Sequence, residues 1–256
     1  KEGEVIQHSM ISKSIERAQK KVEENNFGVR KRLLEYDDVM NSQREVVYKK
    51  RKHALYGERL SVDISNSIFE ICQAIVEEHQ EFKDFEGLQL ESFRSLGIEL
   101  PFDEAKFTKQ SAANLAQELY EKAYANYSNK SSAIAKTVFP VVKRVYENES
   151  DKYRNMVIPF TDGIKSLQIV ANLEKSSGSE GKEVVKSLEK GVTLAMIDNS
   201  WKEHLREMDD LRQSVQFATH EQKDPLLIYK FESFNLFKSM LDKTNREIVS
   251  FLLKAD

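Results

Sequence analysis

Two amphipathic stretches separated by a short polar break constrain the fold of this chain more than any other feature. In the first, apolar residues fall at Leu188, Val192, Ala195, Trp201, Leu205, Met208 and Val215. In the second they fall at Leu227, Phe231, Phe234, Phe237, Leu241, Thr244, Ile248 and Phe251. Steps of three and four residues place each set on one helix face and predict that these positions are core. Asp224 can accept a bond from a free first-turn N–H, and Pro225 at the first helical position has no N–H to satisfy. A sharp stop and restart between two such stripes predicts an antiparallel helical hairpin over residues 181–256, its tip near Gln216–Lys223.

A second long element precedes it. From Ser9 to Tyr56 the residues Ile15, Ala18, Val22, Val29, Leu33, Tyr36, Met40 and Val47 keep the same step, with Gly28 tolerated inside at a cost of about 1 kcal/mol. Some 45 residues at 1.5 Å each give a rod of roughly 70 Å, which must lie across several partners or form a coiled coil. Between the long elements the pattern shortens. Helices are expected at about 62–78 and 87–96, then from Asp103 or Thr108 to about Tyr127, then at 131–147 with Pro140 bending the last. Met156–Val170 changes character: Thr161-Asp162-Gly163 between β-rich runs is a hairpin signal, and Pro159 confines its strand to an edge. Lys175–Gly181 reads as a flexible linker. The expected fold is therefore mainly α. A very long helix occupies residues 1–56, a short-helix subdomain with a small β-hairpin spans 57–180, and the two-helix hairpin closes the chain.

Composition agrees with this reading. Nine Gly and four Pro are few, and 32% charged residues is high, as long solvated helices require. A net charge of −3 marks no global nucleic-acid binder. The charge is nonetheless segregated: residues 10–60 hold 13 Lys/Arg against 8 Asp/Glu, and residues 61–104 hold 2 against 11. Cys72 is alone, so neither a disulfide framework nor a Cys-based zinc site is available. No apolar run approaches the roughly 18 residues that span a bilayer, and no signal peptide is visible. An opening at Lys1 without Met suggests a piece excised from a longer protein.

Chemical motifs are weak throughout. Gly181-Lys182 lacks both the Gly five residues earlier and the following Ser or Thr of a phosphate loop, so a linker is the better reading. His204 with Glu203 and Glu207 does not form the Glu-x-x-His pairs of a di-iron bundle and reads as charged helix surface. Asp37 and Asp38 point about 100° apart on a helix and read as solvated. Lys49-Lys50-Arg51-Lys52 lacks interleaved aromatic platforms and reads as a solvated helix end. No catalytic triad or metal-ligand set emerges, and these 256 residues contain no Walker signature. From residues alone, the chain is a non-catalytic helical scaffold.

Two stretches carry a more specific message. Val22-Glu23, Asn26-Phe27, Arg30-Lys31, then Leu33 through Asn41 with Gln43-Arg44 resembles the long scaffold helix of the SecA family, motor subunits of bacterial protein export. Trp201-Lys202-Glu203-His204-Leu205, Met208-Asp209, Leu211-Arg212-Gln213, Gln222-Lys223-Asp224-Pro225, Tyr229-Lys230 and Glu232-Ser233-Phe234 resembles the two-helix finger of the same family. The motifs keep the family's order and separation, and residues 60–180 match more loosely, as its variable wing does.

The resemblance implies a scaffold and wing region that couples ATP hydrolysis in separate motor domains to pushing unfolded preproteins through the SecYEG channel. ATP and Mg²⁺ would belong to those domains, and no cofactor or metal to this region. Implied partners are the SecY channel complex, unfolded preprotein with its signal peptide, and the family's nucleotide-binding and preprotein cross-linking domains. Room is left for a homodimer, and nucleic acid is not a partner. Arg30, Leu34, Tyr36, Asp37, Asp38 and Arg44 would face the motor domains. Trp201, His204, Leu205, Arg212, Asp224 and Pro225 would form the finger motif, and Phe217, Thr219, His220 and Glu221 the tip that touches channel and polypeptide. Many members carry Tyr where His220 stands, so the grip falls either to His220 or to Phe217. The implied location is the bacterial cytoplasm, at the inner face of the inner membrane. A coiled-coil or bundle adaptor without mechanical duty is the alternative from another class.

Overall fold

The structure, a computed structural model, describes residues 9–57, 59–215 and 224–256. Eight helices and one two-stranded sheet occur among them: α1 (Ser9–Tyr56), α2 (Leu60–Phe82), α3 (Phe85–Leu96), α4 (Glu104–Lys109), α5 (Ala112–Glu149), β1 (Asn155–Thr161), β2 (Ser166–Asn172), α6 (Leu173–Gly178), α7 (Lys182–Ser214) and α8 (Pro225–Lys254). The mainly α class, the very long first helix and the closing helical pair are as the periodicity predicts. Contacts divide the chain into two compact units, one of residues 47–206 with 237–256, the other of residues 1–46 with 207–236.

The larger unit is built on α2, whose Ile64, Ile68, Ile71, Ile75 and Val76 are buried against α3 and α5. Each short helix has a local cause. Asp84 Oδ1 accepts from Gly87 N–H at 2.9 Å to start α3, and Gly97 ends it at φ 67°, a left-handed value that Gly adopts without strain. Asp103 caps α4 by accepting from Lys106 N–H at 2.9 Å. Two expectations fail here. The helix begun at Asp103 stops at Lys109, and α5 then starts from Ser111 and runs unbroken to Glu149 with Pro140 inside it. One buried stripe of Leu115, Leu119, Ala123, Ala135 and Val142 spans the supposed gap, and its packing outweighs the one hydrogen bond that Pro140 removes.

The hairpin forms where Thr161-Asp162-Gly163 signals it. Asp162 Oδ1 accepts from the N–H groups of Ile164 and Lys165 at 2.9 and 2.6 Å, and Gly163 takes φ 88°. The strands pair antiparallel with Pro159 opposite Gln168, and Phe160, Ile169 and Ala171 turn into the core. Away from β2, Thr161 exchanges two backbone hydrogen bonds with Asp256, at 3.1 and 2.9 Å.

Lys175–Gly181 is no flexible linker. Asn172 caps α6 by accepting from Lys175 N–H, Ser176 is fully buried, and its hydroxyl donates to the Asn172 carbonyl at 2.6 Å. Gly181 stands at φ 84°, where an added Cβ would lie 2.4 Å from the Ala135 carbonyl oxygen. Small polar residues serve here for close approach to α5, and composition alone cannot distinguish that use from flexibility.

Candidate functional site

The two motif stretches meet in packed clusters, one in each unit. In the smaller unit, Met208 from α7, Val215 just past its end and Tyr229 from α8 are buried with Tyr36, Val39 and Met40 of α1 packed against them. The Tyr36 and Tyr229 rings are 4.7 Å apart, and the Arg212 guanidinium lies 5.7 Å from the Tyr36 ring centroid. Such ring pairs add to the burial term, and a cation over a Tyr face adds further attraction. Burial pushes the Tyr229 phenol above its ordinary range, with Arg212 pulling it partly back. Buried Gln43 donates from Nε2 to the Ser233 carbonyl at 3.0 Å, a polar tie from α1 to α8. The Ser233 hydroxyl turns back to the Lys230 carbonyl at 2.9 Å.

In the larger unit, Val47, Ile197 and Met240 are buried with Trp201, Phe237 and Leu241 around them. His204, read from sequence as charged surface, is 1% exposed, its ring centroid 5.6 Å from those of both Trp201 and Phe237. Burial lowers its pKa to about 4, so the imidazole is neutral near pH 7. The reason for the error is register: 197, 201, 204 and 208 form the inward row, while Glu203 and Glu207 flank it on the exposed side. Beside this cluster, Arg51 makes a two-pronged ion pair with Asp198, Nε at 2.8 Å and Nη2 at 3.2 Å. A groove of about 420 Å³ opens there, with Tyr48, Arg51, Tyr56 and Trp201 among its walls. The basic run 49–52 is thus partly engaged, since Lys50 also donates to Asn245 at 3.3 Å.

The remaining predicted positions fall as follows. Arg30, Leu34, Asp37, Asp38 and Arg44 are exposed on α1, and Arg44 donates to Asn41 Oδ1 at 3.0 Å. Leu205 and Arg212 are half-buried. Asp224 Oδ1 accepts from Leu226 N–H at 3.0 Å, with Pro225 the first residue of α8. Phe217, Thr219, His220 and Glu221 lie outside the described residues. One expectation for α8 is overturned: Leu227, Phe231 and Phe234 are 67, 64 and 64% exposed and do not line the core. The inward face is instead Tyr229, Ser233 and Met240, and two of its members are polar enough to be hidden from a hydrophobicity pattern.

Sequence reasoning also missed Tyr127, whose hydroxyl donates to Glu189 Oε1, and burial raises the Glu189 pKa. His53 Nδ1 and Asp63 Oδ2 lie 2.9 Å apart, again unsignalled. Gln43 was findable, because it fills the 36-40-43-47 row in which every other member is apolar or aromatic. Cys72 is buried and its thiol is pushed up to about 12, which leaves it an inert core residue. No group of three or more His, Cys, Asp or Glu is placed to hold a metal ion among the described residues. None of their helices is long and apolar enough to cross a membrane.

These features define an α-helical scaffold in which a long helix is joined, by aromatic and polar packing, to an antiparallel helical pair. Residues 5–256 match the family described as the SecA Wing and Scaffold domain, and the chain belongs to that family. It is 58% identical over 255 residues to the protein translocase subunit SecA of Christiangramia forsetii, covering 100% of this chain and 23% of that protein. The corresponding subunits of Flavobacterium psychrophilum and Parabacteroides distasonis are 56 and 52% identical, with 100 and 99% of this chain and 23 and 22% of those proteins covered. The chain therefore spans under a quarter of the length of these relatives.

Proposed function

We propose that these residues are the scaffold and wing of a preprotein translocase ATPase, and that they carry motor movement to a two-helix finger that pushes unfolded preprotein through the SecYEG channel. The observation that carries this reading is the match of essentially the whole chain to subunits named as protein translocases. In this scheme residues 1–56 and 181–256 form the scaffold and 57–180 the wing. ATP and Mg²⁺ act in nucleotide-binding domains elsewhere in the protein, and this region supplies no catalytic group. Exposed Arg30, Leu34, Asp37, Asp38 and Arg44 face the motor and preprotein cross-linking domains. The segment holding Phe217, Thr219, His220 and Glu221 meets SecY and the moving polypeptide, at the inner face of the bacterial membrane.

The joint of Tyr36, Tyr229 and Arg212 gives the scheme a mechanical element, since it ties α1 to both finger helices. In the full-length protein, Tyr36→Ala with Arg212→Ala is expected to lower preprotein transport into SecYEG vesicles at least tenfold while ATP hydrolysis stays within about twofold. Unchanged transport, or hydrolysis lost in step with it, would sink the coupling role.

A further inference from the structure

The outer edge of β1 is already occupied at one end, and the manner of occupation says what fills the rest. Both backbone hydrogen bonds of Thr161 go to Asp256, N–H to O at 3.1 Å and O to H–N at 2.9 Å. Two mutual bonds between one residue pair are the signature of an antiparallel ladder. Backbone groups alternate sides along a strand, so Thr161, Pro159 and Val157 turn theirs away from β2. Pro159 has no N–H, which leaves its carbonyl and both backbone groups of Val157 facing outward.

The direction of Asp256 is fixed by what precedes it. Phe251, Leu252, Leu253 and Ala255 are all buried, Lys130 Nζ donates to the Ala255 carbonyl at 3.0 Å, and Lys254 Nζ donates to the Arg94 carbonyl. The backbone thus leaves α8 aligned with β1, already in register with it.

We propose that the outer edge of β1 takes a third strand, and that its occupant is the polypeptide running on from Asp256 in the same chain. With Asp256 opposite Thr161, the second and fourth residues beyond Asp256 stand opposite Pro159 and Val157. The pair at Pro159 has one hydrogen bond and the pair at Val157 has two. The first and third residues beyond Asp256 point to the face that holds Phe160 and Ile158, so they are apolar or small. The strand covers an edge that otherwise offers unpaired groups to any extended peptide. It also tethers whatever follows to the hairpin of the wing.

Amide hydrogen exchange on the full-length protein tests this. The Val157 amide is expected to exchange at least tenfold more slowly than in a variant ending at Asp256, and the first four or five residues beyond Asp256 are expected to share that protection. Val157→Pro removes the outward donor and none of the bonds to β2. It should release the segment beyond Asp256 at least tenfold while the Ile158 and Phe160 amides stay as slow as before, and this arm does not depend on the shortened variant folding. Equal exchange at Val157 with and without the segment would overturn the proposal. So would protection that grows with protein concentration, which would make a second copy the occupant, or a Val157→Pro variant with the segment still protected.

Discussion

His204 sits between Trp201 and Phe237 with almost no solvent contact, and protonating it there would bury a charge. Its folded pKa of about 4 lies below the unfolded value near 6.5. Between those values the unfolded chain binds more protons than the folded one, so stability is complete above pH 6.5 and falls as pH drops toward 4. The loss has a ceiling of about 3 kcal/mol for a shift of that size. Denaturant titrations at pH 7 and pH 5 check it: His204→Gln should lose stability at pH 7 but show a flatter decline than the parent, and parallel declines would refute the assignment. Gly181 makes a second prediction at this scale. Gly181→Ala sets a Cβ against the Ala135 carbonyl at a left-handed φ, and thermal unfolding should report a loss of about 2 kcal/mol or more.

At the scale of elements, helix ends were legible and helix faces only partly so. Asp224-Pro225 placed the start of α8 because capping is local chemistry, readable from two residues. Asp224→Ala should cost about 1 kcal/mol and speed amide exchange in the first turn of α8, with the rest of the helix little changed. The faces of α8 and α7 were misread for a different reason. Tyr229 and Ser233 define the inward row of α8 because Tyr36 and Gln43 of α1 lie opposite, and a single helix does not record its partner. Leu227, Phe231 and Phe234 therefore carried the stronger hydrophobic signal on the exposed face. His204 fell on the wrong side by the same mechanism, while Tyr127 with Glu189 and His53 with Asp63 are contacts between helices that leave no periodic trace. Among the shorter elements, the cap at Asp103 and the end of α3 near residue 96 were readable. The continuity of α5 was not, since it rests on long-range burial that offsets Pro140.

On the scale of the whole molecule, exposed apolar residues concentrate on α1 and the first half of α8. Ile15, Val22, Phe27 and Leu34 join Leu227, Phe231 and Phe234 in standing largely open to solvent. Changing Leu227, Phe231 and Phe234 together to Ser should shift the melting temperature by only a few degrees, whereas Tyr229→Ala should cost about 3 kcal/mol or more. Scanning calorimetry separates the two cases. The proposed function sets residues 216–223, between α7 and α8 in sequence, against the moving polypeptide. Its most direct test places a photo-cross-linking residue at His220 in the full-length protein, with one at exposed Tyr153 as control, during ATP-driven transport into SecYEG vesicles. Adducts with preprotein or SecY at position 220, dependent on ATP and absent at position 153, are the predicted result. No adduct at position 220, or equal capture at both positions, would contradict it.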